Sequence, residues 1–177
     1  PYLTILYRDE DILVLDKPAE LLTVPGKSIE LRDSLQVRVQ RVFPTATIVH
    51  RLDMATSGIL MMALNKPAHV HLSPPFENRE TFKPYSARVF GHVAGESGII
   101  DLPLICDWPN RPKQMVEHKR GKPSLTHWHV VQRDCKSTLM ELTPITGRSH
   151  QLRVHMLAIG HPILGDRLYA HEEAMAR

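Results

Sequence analysis

Three short stretches set charged residues into apolar surroundings and are the places where this chain can do chemistry. They are His50-Arg51-Leu52-Asp53, Lys83-Pro84-Tyr85-Ser86-Ala87 and Gly147-Arg148-Ser149-His150-Gln151-Leu152-Arg153-Val154-His155. Asp53 stands between Leu52 and the apolar run of residues 59–64. A carboxylate there is costly to bury unless a cation pairs with it, and Arg153, one turn into a helix-like segment, is placed to supply that cation. Such a pair is either the acid of an active site or a purely structural ion pair, and residue types alone weigh the two equally, because both perturb ionisation in the same way. Two histidine pairs, His69-x-His71 and His127-x-His129, would each lie on one face of a strand. Neither has a third ligand at a convincing spacing, so no metal is expected.

The elements that must hold these residues are legible in outline. Residues 4–17 read as a hairpin turning through Arg8-Asp9-Glu10-Asp11 and closed by Lys17-Pro18. Leu31, Leu35, Val39 and Val42 fall at spacings of four, four and three, which predicts one helix ending before Pro44. Residues 47–49 and 58–64 read as strands, the second apolar enough to be buried on both faces, with a shaped polar loop of residues 50–57 between them. Residues 66–79 start as a helix that Ser73-Pro74-Pro75 should divide into two pieces. Residues 85–92, 124–132 and 138–142 alternate as strands, the last after a Lys136-Ser137 turn. Ser149 is the expected N-cap of a helix that buries Leu152, Met156 and Ile159 and stops at Gly160. Strands with interspersed helices and no internal repeat indicate an α+β protein with a mixed, largely antiparallel sheet.

With 177 residues, 42% hydrophobic and 23% charged, the chain has the composition of an ordinary globular protein, not a disordered or fibrous one. No apolar run reaches the ~18 residues of a membrane helix, and residues 1–4 lack the layout of a signal peptide, so a soluble, cytoplasmic protein with no membrane association is expected. Cys106 and Cys135 allow one disulfide at most and resemble neither a metal knuckle nor a redox pair. The formal net charge is +3, yet residues 107–122 alone carry Arg111, Lys113, Lys119, Arg120 and Lys122 against Asp107 and Glu117. A loop this basic, beginning Asp107-Trp108-Pro109-Asn110, suits a polyanion such as RNA, against the plainer alternative of a solvated loop.

Four separated motifs, in order, carry a family resemblance: His50-Arg51-Leu52-Asp53-Met54-Ala55-Thr56-Ser57-Gly58, Lys83-Pro84-Tyr85, Asp107-Trp108-Pro109-Asn110-Arg111-Pro112-Lys113-Gln114, and the stretch from Gly147 to His155. Through them the chain resembles the RluA-type RNA pseudouridine synthases over nearly its whole length. The resemblance implies a pseudouridine synthase fold with a central catalytic cleft. It also implies an isomerase that breaks the uridine glycosidic bond, rotates the uracil and rejoins it through carbon without metal, nucleotide or redox cofactor. Asp53 would be the catalytic aspartate, either attacking the sugar or base covalently or acting as a base at the sugar's C2′; both routes stay open. Arg153 would pair with Asp53 and favour its charged form, and Tyr85 would pack on the base. The base must be flipped out to be reached, with Arg51 swinging into its place. Arg111 and Lys113 would contact phosphates, and Arg148 and Leu152 would complete the RNA surface. The substrates implied are large-subunit rRNA and tRNA anticodon stem-loops, bound by a monomer with no obligatory protein partner.

The resemblance further implies that residues 1–177 form a single catalytic domain without an appended RNA-binding domain and short of the Leu-rich C-terminal stretch of the family. Two departures from the family pattern stand out: Pro74-Pro75, where the family helix runs on, and Pro84, which removes a backbone donor beside Tyr85. Rival readings are an RNA-binding module of the same fold without chemistry, in which Asp53 is exchangeable, and a metal-dependent hydrolase built on the His pairs, which requires bound metal.

Overall fold

The chain first reverses at Asp9, whose Oδ1 accepts the backbone N–H groups of Asp11 and Ile12, both at 2.8 Å. These bonds, that of Ile12 foremost, hold the Asp9 carboxyl below its usual value. The turn joins β1 (Ile5–Arg8) to β2 (Ile12–Lys17) in the expected antiparallel hairpin. The structure, a computed structural model, describes residues 3–79 and 81–176, which divide into two compact units, one ending at Thr81 and one beginning at Phe82.

In the first unit the chain continues through α1 (Leu35–Gln40), β3 (Thr47–Ile48), β4 (Gly58–Ala63) and α2 (Lys66–Glu77). Helix α1 is shorter than its apolar spacing predicts. Ser34 Oγ accepts the N–H of Val37 at 3.1 Å and so fixes the start at Leu35, leaving Leu31 in a separate 3-10 turn and Val42 exposed beyond the end. The strands form an antiparallel sheet in the order β1-β2-β4-β3. Leu13 and Leu15 of β2 and Leu60 and Met62 of β4 point into one core with Leu21, Leu35, Val39 and Ala46. Each fully buried Leu contributes roughly 1.5–3 kcal/mol. Strand β4 is not buried on both faces as expected: Leu60 is buried and Ile59 exposed, the alternation of a sheet with one covered face.

Helix α2 also corrects an expectation, since it runs unbroken through Pro74 and Pro75. Those prolines deprive only the carbonyls of Val70 and His71 of helix partners, both residues are exposed, and water can satisfy the freed oxygens. Asn65 Oδ1 caps the start through the N–H of Ala68.

The second unit contains β5 (Tyr85–Phe90), β6 (Ser97–Asp101), β7 (Leu104–Cys106), β8 (Gln114–Val116), β9 (Leu125–Arg133), β10 (Ser137–Pro144), α3 (Gln151–Ala158) and α4 (Glu172–Met175). An antiparallel sheet runs β5-β10-β9-β6, and Gly98 lies opposite Trp128, where any Cβ would meet the indole at 2.5 Å. The β9–β10 reversal is built by Asp134, which accepts N–H groups from Lys136 and Ser137 and the Ser137 hydroxyl. With the Ser137 hydroxyl bond as the largest influence, its carboxyl is lowered to about 2.

Helix α3 buries Met156 against this sheet and Val154 in a smaller cluster with Leu104 and Tyr169. It ends where expected, at Gly160 with φ of 87°, the left-handed position that favours glycine. The basic segment is not a plain loop. Strands β7 and β8 pair as a hairpin, and the N–H and C=O groups of Leu104 and Lys122 bond reciprocally at 3.0 and 2.8 Å, closing its neck. Antiparallel sheets with few helices make this an α+β fold. Among the described residues no helix is long and apolar enough to cross a membrane.

Candidate active site

In the first unit Asp53 lies half-buried on the loop between β3 and β4, with Arg51 exposed two residues before it. The loop is tied down at each stage. His50 stacks on Phe76 of α2 with ring centroids 4.3 Å apart, and its Nε2 accepts the N–H of Met61 at 3.0 Å. The Thr23 hydroxyl, in a residue 3% exposed, donates to the carbonyl of Leu52 at 2.8 Å and accepts its N–H at 3.2 Å. Beyond Asp53, Lys17 Nζ donates to the Met54 carbonyl at 3.3 Å and to Pro18 and Leu21 at 2.9 and 2.6 Å. Those acceptors match the three donors of an ammonium group, which is how a fully buried lysine is tolerated. Burial lowers the Lys17 pKa from its ordinary value, against the opposing pull of the Asp53 and Glu20 carboxylates. The Asp53 carbonyl closes the turn by accepting the N–H of Thr56 at 3.0 Å. The residue on either side of Asp53 is therefore held by a buried polar side chain.

Lys17 and Thr23 did not stand out as site residues in the sequence. For Lys17 a signal existed: the period-two inward face Leu13, Leu15, Lys17 places a lysine at a core position. Thr23 carries no such mark.

In the second unit Arg153 is paired with Asp166, through Nε to Oδ2 at 2.9 Å and Nη2 to Oδ1 at 2.6 Å. The side chains are 12% and 4% exposed. Burial by itself would raise the Asp166 carboxyl, but the hydrogen bond and charge of Arg153 and the N–H groups of Leu168 and Tyr169 hold it below its ordinary value. Tyr169 connects this pair to its neighbours. Its ring lies 5.2 Å from the Arg153 guanidinium, and its hydroxyl bonds His150 Nδ1 at 2.6 Å and accepts the N–H of Gln114, the first residue of β8, at 2.9 Å. Neither Asp166 nor Tyr169 was marked by any spacing in the sequence.

Helix α3 starts differently from expectation. Ser149 is not the cap; the cap position is His150, at φ of 54° and with no capping side-chain bond. Gln151 closes the entrance instead, its Oε1 accepting from the Thr146 hydroxyl at 2.7 Å and the Arg148 N–H at 3.0 Å. Its Nε2 donates to the Leu125 carbonyl and the Thr126 hydroxyl. Thr126 in turn bonds Nδ1 of the buried His155, whose Nε2 bonds the Leu102 carbonyl, and burial pushes the His155 pKa down. Leu152 packs against the sheet core. Arg148 is half-buried and donates from Nε to the Pro123 carbonyl at 3.0 Å, beside the neck of the basic hairpin.

Tyr85 opens β5 half-buried, opposite Leu142 of β10, and Pro84 stays outside the strand without disturbing that pairing. Arg111 and Lys113 lie at the β7–β8 tip, with the Arg111 guanidinium 3.9 Å from the centre of the Trp108 ring. The histidine pairs come out differently. His127 and His129 are exposed on β9, but His69 and His71 lie on α2, where residues two apart do not share a face. Among the described residues no three His, Cys, Asp or Glu side chains gather as a metal site would require.

Comparison with known proteins covers these elements. A family model described as RNA pseudouridylate synthase matches residues 11–158. The chain is 59% identical over 173 residues to the dual-specificity RNA pseudouridine synthase RluA of Yersinia pestis, covering 97% of this chain and 84% of that one. It is 56% identical over 177 residues to the protein of the same name from Escherichia coli (strain K12), covering 99% and 81%. Among solved structures, Human RNA Pseudouridylate Synthase Domain Containing 1 matches with a TM-score of 0.83 and 34% identity over 97% of this chain and 71% of that one. A family model spanning the Asp53 loop and α3, and relatives more than half identical along nearly the whole sequence, lead to one assignment: the chain belongs to the RNA pseudouridylate synthase family.

Proposed function

We propose that this RNA pseudouridine synthase modifies uridines in two RNA classes, large-subunit rRNA and tRNA anticodon stem-loops, using Asp53 as its reactive carboxylate. The isomerisation breaks the bond from C1′ to N1, forms one from C1′ to C5, and exchanges the hydrogen on C5 for one on N1. No atom is gained or lost, so one carboxylate on a fixed backbone suffices. Asp53 does this either by attack on the sugar or base or by taking the C2′ proton. Arg153, oriented by Asp166, supplies the positive charge that pairs with that carboxylate, and Tyr85 packs against the uracil. The uridine is flipped from its stack, Arg51 fills the space it leaves, and Arg111, Lys113, Arg148 and Leu152 contact the surrounding RNA.

The observation that carries the catalytic role is the anchoring around Asp53: Thr23 holds both polar groups of Leu52, and Lys17 holds the carbonyl of Met54. Preorganisation of this kind is what a reacting group requires and a surface carboxylate does not. Two substrate classes are supported by the dual specificity named for the Yersinia pestis and Escherichia coli relatives. The protein acts as a cytoplasmic monomer without an obligatory protein partner. Mapping pseudouridines in RNA from cells with and without the gene tests the assignment. Sites should disappear from both RNA classes, and loss from neither class would reject it.

A further inference from the structure

Trp108 stands at the tip of the β7–β8 hairpin, in a 3-10 turn of Trp108–Asn110, and is 69% exposed. The Arg111 guanidinium lies over the indole, 3.9 Å from its centre. With that face covered, an exposure so high requires the opposite face to be in solvent. Large aromatic rings are ordinarily buried for their area, so one displayed flat and braced from behind points to a ligand.

The tip that carries the ring is firmly built. The N–H of Asp107 donates to the Lys113 carbonyl at 2.8 Å, and that of Lys113 to the Asn110 carbonyl at 3.1 Å. Asn110 bonds Asp107 twice, through its N–H to the carbonyl at 2.9 Å and through Nδ2 to the carboxylate at 3.0 Å. The Gln114 N–H on the Tyr169 hydroxyl fastens the end of the tip to the residue that also packs on Arg153. A ring held this way gives up little freedom on meeting a flat partner.

The surroundings decide which partner. Residues 107–122 hold five cations against two acids, and Trp108 is the only large apolar side chain exposed among them. One ring is far too little for a protein interface, which needs about 800 Å² on each side. It is the right size for a nucleobase, and the surrounding cations suit the phosphates on either side of that base. A guanidinium stacked on the ring can still direct its in-plane N–H groups to one of those phosphates.

We propose that the solvent face of Trp108 is a stacking platform for an unpaired nucleobase of the RNA substrate, braced by Arg111. This rests on the reading of the chain as an enzyme of structured RNA and adds a base-contacting residue to a hairpin expected to touch only phosphates. Stacking selects for an unpaired base and not for its identity, so the platform recognises an open loop without reading its sequence.

The test uses the whole chain, an RNA stem-loop with an unpaired loop, and a blunt duplex of the same stem. Emission from Trp108 is taken as the difference between the unaltered chain and Trp108→Phe. The stem-loop should quench it and the duplex should not. Trp108→Ala should weaken stem-loop binding about tenfold to a hundredfold, in line with the loss of one stacked base, while Trp108→Phe keeps most of the affinity. The slope of log affinity against log salt should stay unchanged in both variants, because every phosphate-binding cation remains in place. Absent quenching, or Trp108→Ala binding within about twofold of the unaltered chain, overturns the platform while leaving the enzyme assignment standing. Failure of the unaltered chain to bind the stem-loop overturns both.

Discussion

Replacing Asp166 by Asn tests how the second unit holds its arginine. Asp166 receives Arg153 through two charge-assisted bonds at 2.9 and 2.6 Å, with the side chains 4% and 12% exposed. Asparagine keeps the shape but removes the charge that faces the largely buried guanidinium across those two bonds. A loss of that kind costs roughly 3–5 kcal/mol. For a chain of this size it corresponds to a fall in melting temperature of roughly 6–20 °C. Turnover should fall as well, because Arg153 loses the carboxylate that fixes its orientation. Removing both charges, as Asp166→Asn with Arg153→Met, should restore part of the stability, giving a coupling of about 1–3 kcal/mol in thermal or denaturant melts. The pH dependence has a definite sign. The folded carboxyl is held below its ordinary value, so an unfolded chain takes up the proton first as pH falls. Stability from the pair is therefore complete above about pH 4 and is lost as the pH drops through the lowered value. Additivity of the single substitutions within about 0.5 kcal/mol would refute the pair.

Other perturbations test separate parts of the account. Thr23→Val keeps the shape but orphans both polar groups of Leu52, so kcat should fall at least about tenfold with KM little changed and Thr23→Ser restoring it; a change in KM alone would remove Thr23 from the support of Asp53. Burial lowers the His155 pKa, so the folded state resists the proton that the unfolded chain accepts near pH ~6.5, and melting temperature should drop between about pH 7.5 and about pH 5.5. His155→Gln should flatten that drop, and an unchanged slope would show that another group titrates. Arg111→Ala with Lys113→Ala should flatten the plot of log affinity against log salt by about 0.7–0.9 for each phosphate left without its cation. An unchanged slope in filter-binding titrations would take both side chains off the RNA.

The hairpin at Asp9, the two strands flanking the Asp53 loop and the stop at Gly160 were legible because each depends on residues adjacent in sequence. Where the expectation failed, a bond invisible to periodicity decided the outcome. Ser34 starts α1 a full turn after the first residue of the apolar stripe, and Gln151 seals the entrance of α3 that Ser149 was expected to cap. Pro74 and Pro75 did not divide α2, because the carbonyls they strand belong to exposed residues. Asp53, Tyr85 and Arg153 were singled out through motifs as candidates, and the side chains that hold Arg153 and the backbone beside Asp53 were not. Asp166 reaches Arg153 from beyond the end of α3, and Thr23 reaches Leu52 across 29 residues, through contacts that only folding creates. Lys17 could have been found, since a lysine in register with Leu13 and Leu15 must be buried and therefore bonded.

The most direct test is Asp53→Asn, measured by release of the C5 hydrogen from a uridine-labelled RNA stem-loop beside a binding titration. The substitution removes the reactive carboxylate and leaves the backbone anchors at Leu52 and Met54 in place. Turnover should fall below about a hundredth of that of the unaltered chain while affinity stays within about tenfold. Turnover above that level, with binding intact, would contradict the assignment of Asp53 as the residue that carries the reaction.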